Sequence, residues 1–130
     1  MMRHLNGKIY ISGWDTASKA MNSGGLTYVV TVATDSPITG HQMFHLVDGP
    51  GNDPEVFKMA VDAVVKAAQS DEKAVLVHCV SGRSRSAAVC VAAIAKLNNI
   101  SICEAYDRCI ATDDKIRIHP ALGKLLLPDV

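Results

Sequence analysis

The apolar positions of this chain change period several times, and each change marks an expected element. Residues 9–12 (Ile-Tyr-Ile-Ser) and 73–78 (Lys-Ala-Val-Leu-Val-His) are short apolar runs that read as strands. Residues 26–32 are dense in β-branched side chains from Thr27 to Val32 and suit a central strand. Residues 43–47 suit a further short strand. Helical spacing takes over in 54–70, where Phe57, Ala60, Val61, Val64, Val65 and Ala68 recur on one face. From 84 to 97 the apolar positions are nearly continuous, as in a largely buried helix. A short helix is expected over 15–21, closed by Asn22-Ser23-Gly24-Gly25. Ser101-Ile102-Cys103-Glu104 has the spacing of a capping box and opens another helix, broken at Asp113-Asp114-Lys115. A last helix is expected over 120–127, and residues 34–41, with Pro37 and Gly40, read as a loop. Strands alternating with helices predict an α/β fold: a central, mostly parallel sheet of four to five strands flanked by helices.

Length and charge narrow this picture. The 130 residues are expected to form one domain, 1–130, large enough for a single core. Lysines and arginines balance aspartates and glutamates at 13 each, so no general pull toward nucleic acid or an anionic membrane is expected. No apolar run has the length of a membrane span, and residues 1–8 lack the apolar core of a signal peptide. Four cysteines at irregular spacing form neither a C-x-x-C pair nor a zinc pattern, and the histidines show no metal-ligand spacing. Free thiols in a reducing cytoplasm, with no metal and no cofactor, are the expectation.

The candidate chemistry lies in His78-Cys79-Val80-Ser81-Gly82-Arg83-Ser84-Arg85-Ser86. A strand leads into a glycine-bearing loop, and a helix N-terminus leads out. The first N–H groups of a helix lack partners and carry partial positive charge, so this arrangement makes an anion site. A thiolate of Cys79 would lie beneath a bound phosphate, with the planar fork of Arg85 beside it. Gly82 would permit the tight turn, by its backbone angles or by close approach to phosphate. Val80, Ser81, Arg83 and Ser84 would contribute mainly backbone N–H groups. Arg83 also places a second positive side chain at the rim.

His-Cys-x-x-Gly-x-x-Arg-Ser resembles the signature of the protein tyrosine phosphatase superfamily, and the flanks resemble its small dual-specificity branch. Ile9-Tyr10-Ile11-Ser12-Gly13, the strand from Leu26, Val47-Asp48-Gly49 and His119-Pro120-Ala121-Leu122 are the similar stretches. The resemblance implies hydrolysis of phosphate monoesters through a cysteinyl-phosphate. Phosphotyrosine and phosphoserine or phosphothreonine in proteins, or a small phosphate ester, would be the substrate. Cys79 would be nucleophile, Ser86 would assist thiolate departure, and His78 would tune the loop. Many relatives carry Asn where Ala121 stands, so one buttressing hydrogen bond to the loop is expected to be missing. The alternative substrate is a phospholipid or inositol phosphate, with Arg83 as an added charge contact.

Asp48 is the expected general acid. It has no local structural task and lies in a glycine-rich stretch able to move, and the resemblance points the same way. Asp53 is the rival, but Asp53-Pro54-Glu55 before an apolar-periodic run is a helix start. Cys90, Cys103 and Cys109 fall on helix faces, with core packing as the default. Chemistry alone leaves a disulfide between one of them and Cys79 open.

Overall fold

A computed structural model describes residues 2–23, 25 and 27–128. Gly24 and Leu26, part of the expected helix stop and strand start, lie outside the described residues. In chain order the elements are β1 (Arg3–Asn6), β2 (Ile9–Ser12), α1 (Trp14–Asn22), β3 (Thr27–Thr31), β4 (Gln42–Met43), α2 (Pro54–Ala68), β5 (Ala74–His78), α3 (Arg85–Asn98), α4 (Ile102–Thr112) and α5 (Pro120–Leu126). Among the described residues five strands form one sheet in the order β1-β2-β5-β3-β4. The β1–β2 pair is antiparallel and the other pairs are parallel.

β5 sits between β2 and β3, with Val75, Leu76 and Val77 fully buried. Strands covered on both faces read as continuous apolar runs, which is why this segment does not alternate. The pleat sorts the side chains. Val75 and Val77 join Ile9, Ile11 and Val30 in a large core completed by α2 and α3, whereas Leu76 and Val29 pack with Ala17 of α1 on the other face. Helix α3 is buried from Arg85 through Ala95, as its near-continuous apolar pattern demands. Asp53 caps α2 by accepting the Glu55 N–H at 2.9 Å, and Ser101 caps α4 by accepting the Glu104 N–H at 3.0 Å.

Three local expectations change. Residues 3–6 form a strand that the polar run Arg-His-Leu-Asn did not suggest; the edge of the sheet supplies its partner. The strand expected over 43–47 shrinks to Gln42–Met43. Beyond it Phe44 and Leu46 point to the core while the backbone leaves the ladder. Cys103 is exposed rather than packed, because α4 turns only Ala105 and Cys109 fully inward.

Candidate active site

The carboxyl ends of the parallel strands β2, β3, β4 and β5 lie along one edge of the sheet, and Gly13, Asp35, Asp48 and Cys79 all follow them. Such an edge is where open α/β sheets hold ligands. The antiparallel β1 begins at the same edge, since Arg3 pairs with Ile11.

The loop after β5 is held from outside by its carbonyls. Trp14 N–H donates to the Val80 carbonyl at 3.1 Å and Arg117 N–H to the Arg83 carbonyl at 2.8 Å. Arg3 Nη2 donates to the Gly82 carbonyl at 2.6 Å, and His78 Nδ1 to the Cys79 carbonyl at 3.0 Å. A trans peptide points its N–H away from its C=O. The amides of Val80, Ser81, Arg83 and Ser84 therefore face the opposite, inner side. None of the four donates to a protein oxygen among the described residues. This is an amide nest suited to an anion. Gly82 makes the turn at φ +72°, and a Cβ there would fall 2.5 Å from the Ser12 carbonyl carbon. Backbone angle and the close approach of the end of β2 both require glycine here.

Cys79 sits at the base of this nest, 2% exposed. Its Sγ lies 3.2 Å from Ser86 Oγ. Burial raises the thiol's pKa, but the Ser86 hydroxyl, the amides of Ser86 and Gly82 and the charge of Arg85 together outweigh it. The thiol ends below its ordinary 9.0. Deeper in the core the balance reverses. Burial pushes Cys90 well above that value and Cys109 up to about 11, so both stay protonated.

His78 is buried between two fixed partners. The Cys79 carbonyl can only accept, so Nδ1 carries the proton, and Nε2 then accepts from Thr31 Oγ1 at 2.6 Å. Burial lowers the pKa of His78 and keeps the ring neutral. Both ring nitrogens are thus engaged by the protein, and Nδ1 ties the ring to the start of the loop.

Arg85 is almost fully buried at the start of α3. Its Nη1 donates to Asp35 Oδ1 at 2.5 Å and to the Leu46 carbonyl at 3.1 Å. Its Nε is buried with no hydrogen-bond partner among the described residues. A charged N–H left so is rare, and an oxygen of a bound anion would satisfy it. The hydrogen bond from Arg85 holds the Asp35 carboxyl below its usual range.

Asp48 is exposed and reaches the same loop. Ser84 Oγ donates to Asp48 Oδ1 at 2.6 Å while accepting the His119 N–H at 2.9 Å. The serine thus acts through its hydroxyl as well as its backbone. The His119 contact also buttresses the loop where Ala121 offers no side-chain donor. The segment around Asp48 is clamped rather than loose. Asn52 accepts the Val47 N–H at 2.8 Å and donates to the carbonyls of Val47 and Gly49 at 2.9 and 3.1 Å. Asp53 is occupied at its helix cap.

The structure therefore gathers Cys79, Ser84, Arg85, Ser86, His78 and Asp48 at one edge. Ser81 and the side chain of Arg83 stand exposed at the rim, and Val80 is half-buried. Sequence reasoning missed Asp35, Arg3, Thr31 and Asn52. Only Asn52 carries a local signal, an asparagine among glycines in a turn. No group of acidic, cysteine or histidine side chains suited to a metal ion occurs among the described residues.

Residues 9–125 match the family model "Dual specificity phosphatase, catalytic domain". The chain is 33% identical over 108 residues to Dual specificity protein phosphatase 14 of Mus musculus, covering 79% of this chain and 54% of that protein. It thus spans about half the length of that curated relative. Human DUSP28 superposes with TM-score 0.83 at 21% identity, covering 98% of this chain and 90% of that one. A mouse putative dual specificity phosphatase, crystallised with zinc tungstate, superposes with TM-score 0.82 at 21% identity, covering 98% and 84%.

Proposed function

Because the chain belongs to the dual-specificity phosphatase catalytic-domain family, we propose that it hydrolyses phosphate monoesters on proteins through a cysteinyl-phosphate. The observation that carries this reading is a buried sulfur with a lowered pKa, set under inward-facing amides on the loop that also holds Asp48. Phosphate seats in the nest, and the free Nε–H of Arg85 takes one of its oxygens. The Cys79 thiolate attacks phosphorus. The P–O bond to the leaving group breaks, and Asp48 gives that oxygen its proton. Ser84 directs its own proton to Oδ1, which leaves Oδ2 to carry the acidic one. Water then attacks the cysteinyl-phosphate, Asp48 takes a water proton, and the S–P bond breaks to return the thiolate. Ser86 Oγ, already beside Sγ, stabilises the departing sulfur.

The family favours phosphotyrosine and phosphoserine or phosphothreonine in proteins over the phospholipid alternative. A thiolate nucleophile calls for a reducing compartment, in keeping with a cytoplasmic location. No single described helix is long and apolar enough to cross a membrane. The test is a steady-state comparison on phosphotyrosine and phosphothreonine peptides. Cys79→Ser should abolish turnover while keeping phosphate affinity. Undiminished turnover by that variant would remove Cys79 as nucleophile.

A further inference from the structure

Arg3 lies outside residues 9–125, the part of the chain matched to the family, yet its guanidinium touches the phosphate loop. The antiparallel pairing of β1 with β2 brings Arg3 opposite Ile11, at the edge of the sheet where the loop begins. There the fork is used twice. Nε donates to Asp113 Oδ2 at 2.6 Å, and Nη2 donates to the Gly82 carbonyl at 2.6 Å. Asp113, at the end of α4, has a side chain only 5% exposed and also accepts the Lys115 N–H. A nearly buried carboxylate therefore fixes the guanidinium, and the guanidinium fixes one peptide plane of the nest.

We propose that Arg3 is a positioning residue for oxyanion binding, an arm from the edge strand that orients and polarises the Gly82–Arg83 peptide. The N–H of that plane, on Arg83, is one of the four inward amides. A cation on the carbonyl end makes the amide end a stronger donor to a dianion, because hydrogen bonds in a chain polarise one another. The Gly82 amide also helps to lower the Cys79 pKa, so loop geometry at this residue reaches the thiol. Asp113 prevents the long side chain from swinging into solvent. The inference rests on the phosphatase reading for its consequence, but phosphate binding tests it without turnover.

The experiment follows alkylation of Cys79 by iodoacetamide, read on the Cys79 peptide by mass, against pH and against inorganic phosphate as protecting ligand. The other ionisable groups around the loop are His78 from β5, Arg85 and Cys90 from α3, Asp35 and Asp48 from the segments after β3 and β4, Arg83 in the loop itself, Cys109 from α4 and His119 at the start of α5. All are left unchanged. Arg3→Met should weaken phosphate protection about three- to tenfold and move the alkylation profile to higher pH. Arg3→Lys should recover only part, since an ammonium cannot bridge both partners in one plane. Arg3→Met combined with Asp113→Asn removes the buried uncompensated charge. It should recover thermal stability but not phosphate affinity. A folded Arg3→Met or double variant with wild-type protection and an unmoved profile would overturn the proposal. Arg3-dependent protection in a protein without turnover would support the positioning role and sink the reaction instead.

Discussion

At the scale of single residues, the site depends on partners that complete one another's valences. Arg85 has one nitrogen held by Asp35 and the Leu46 carbonyl and another, Nε, without a partner among the described residues. Arg85→Ala should cost about 10²- to 10³-fold in kcat/KM, the scale of losing a preorganised charge at a developing oxyanion. Asp35→Asn removes the carboxylate that offsets the guanidinium. Alkylation of Cys79 should then move to lower pH while kcat/KM falls about three- to tenfold as the fork loses its anchor. A wild-type kcat/KM would strip Asp35 of any positioning role. Asp48→Ala should slow poor leaving groups by about 10²-fold or more and good ones much less. Asp53→Ala should instead cost about 1 kcal/mol of stability, since its carboxylate caps α2. A larger kinetic loss at Asp53 than at Asp48 would exchange their roles.

Elements set which thiols react. The buried faces of α3 and α4 enclose Cys90 and Cys109, whose pKa values burial raises, whereas α4 turns Cys103 to solvent. Alkylation at neutral pH should modify Cys79 and Cys103 and spare the other two until the protein unfolds. Mass mapping of labelled peptides checks this; early labelling of Cys90 would contradict its enclosure. The turn between β5 and α3 is equally constrained. Gly82→Ala asks for a positive φ and drives a Cβ against the end of β2, so a loss of several kcal/mol in stability is expected. Urea unfolding would measure it.

Across the whole molecule, pH acts on folding and on chemistry through two neighbouring buried groups. His78 has a folded pKa below its ordinary 6.5. As pH falls below 6.5 the unfolded chain takes up a proton there before the folded one does, so stability drops. His78→Gln should flatten the urea midpoint between about pH 7.5 and 5.5 relative to wild type. Cys79 works in the same direction. Its depressed folded pKa adds stability that is complete above 9.0 and lost as pH falls through the folded value. The acidic limb of kcat/KM should rise through that same lowered pKa.

Most elements and the loop after β5 were legible because they are written locally, whereas β1 was not. Continuous apolar runs can only be buried strands or helices, Asp53-Pro54 can begin a helix with no help from elsewhere, and one nine-residue stretch carries thiol, glycine, guanidinium and helix start together. Asp48 could be singled out only as a carboxylate without a local task, and its contact with Ser84 was not legible. Asp35, Arg3, Thr31 and Asp113 left no such trace. Each acts through a partner 47 to 110 positions away. Their placement follows from strand order and from the reversed direction of β1. Residues distant along the chain meet at one sheet edge only once parallel pairing aligns the strand ends, and that alignment is a property of the folded sheet.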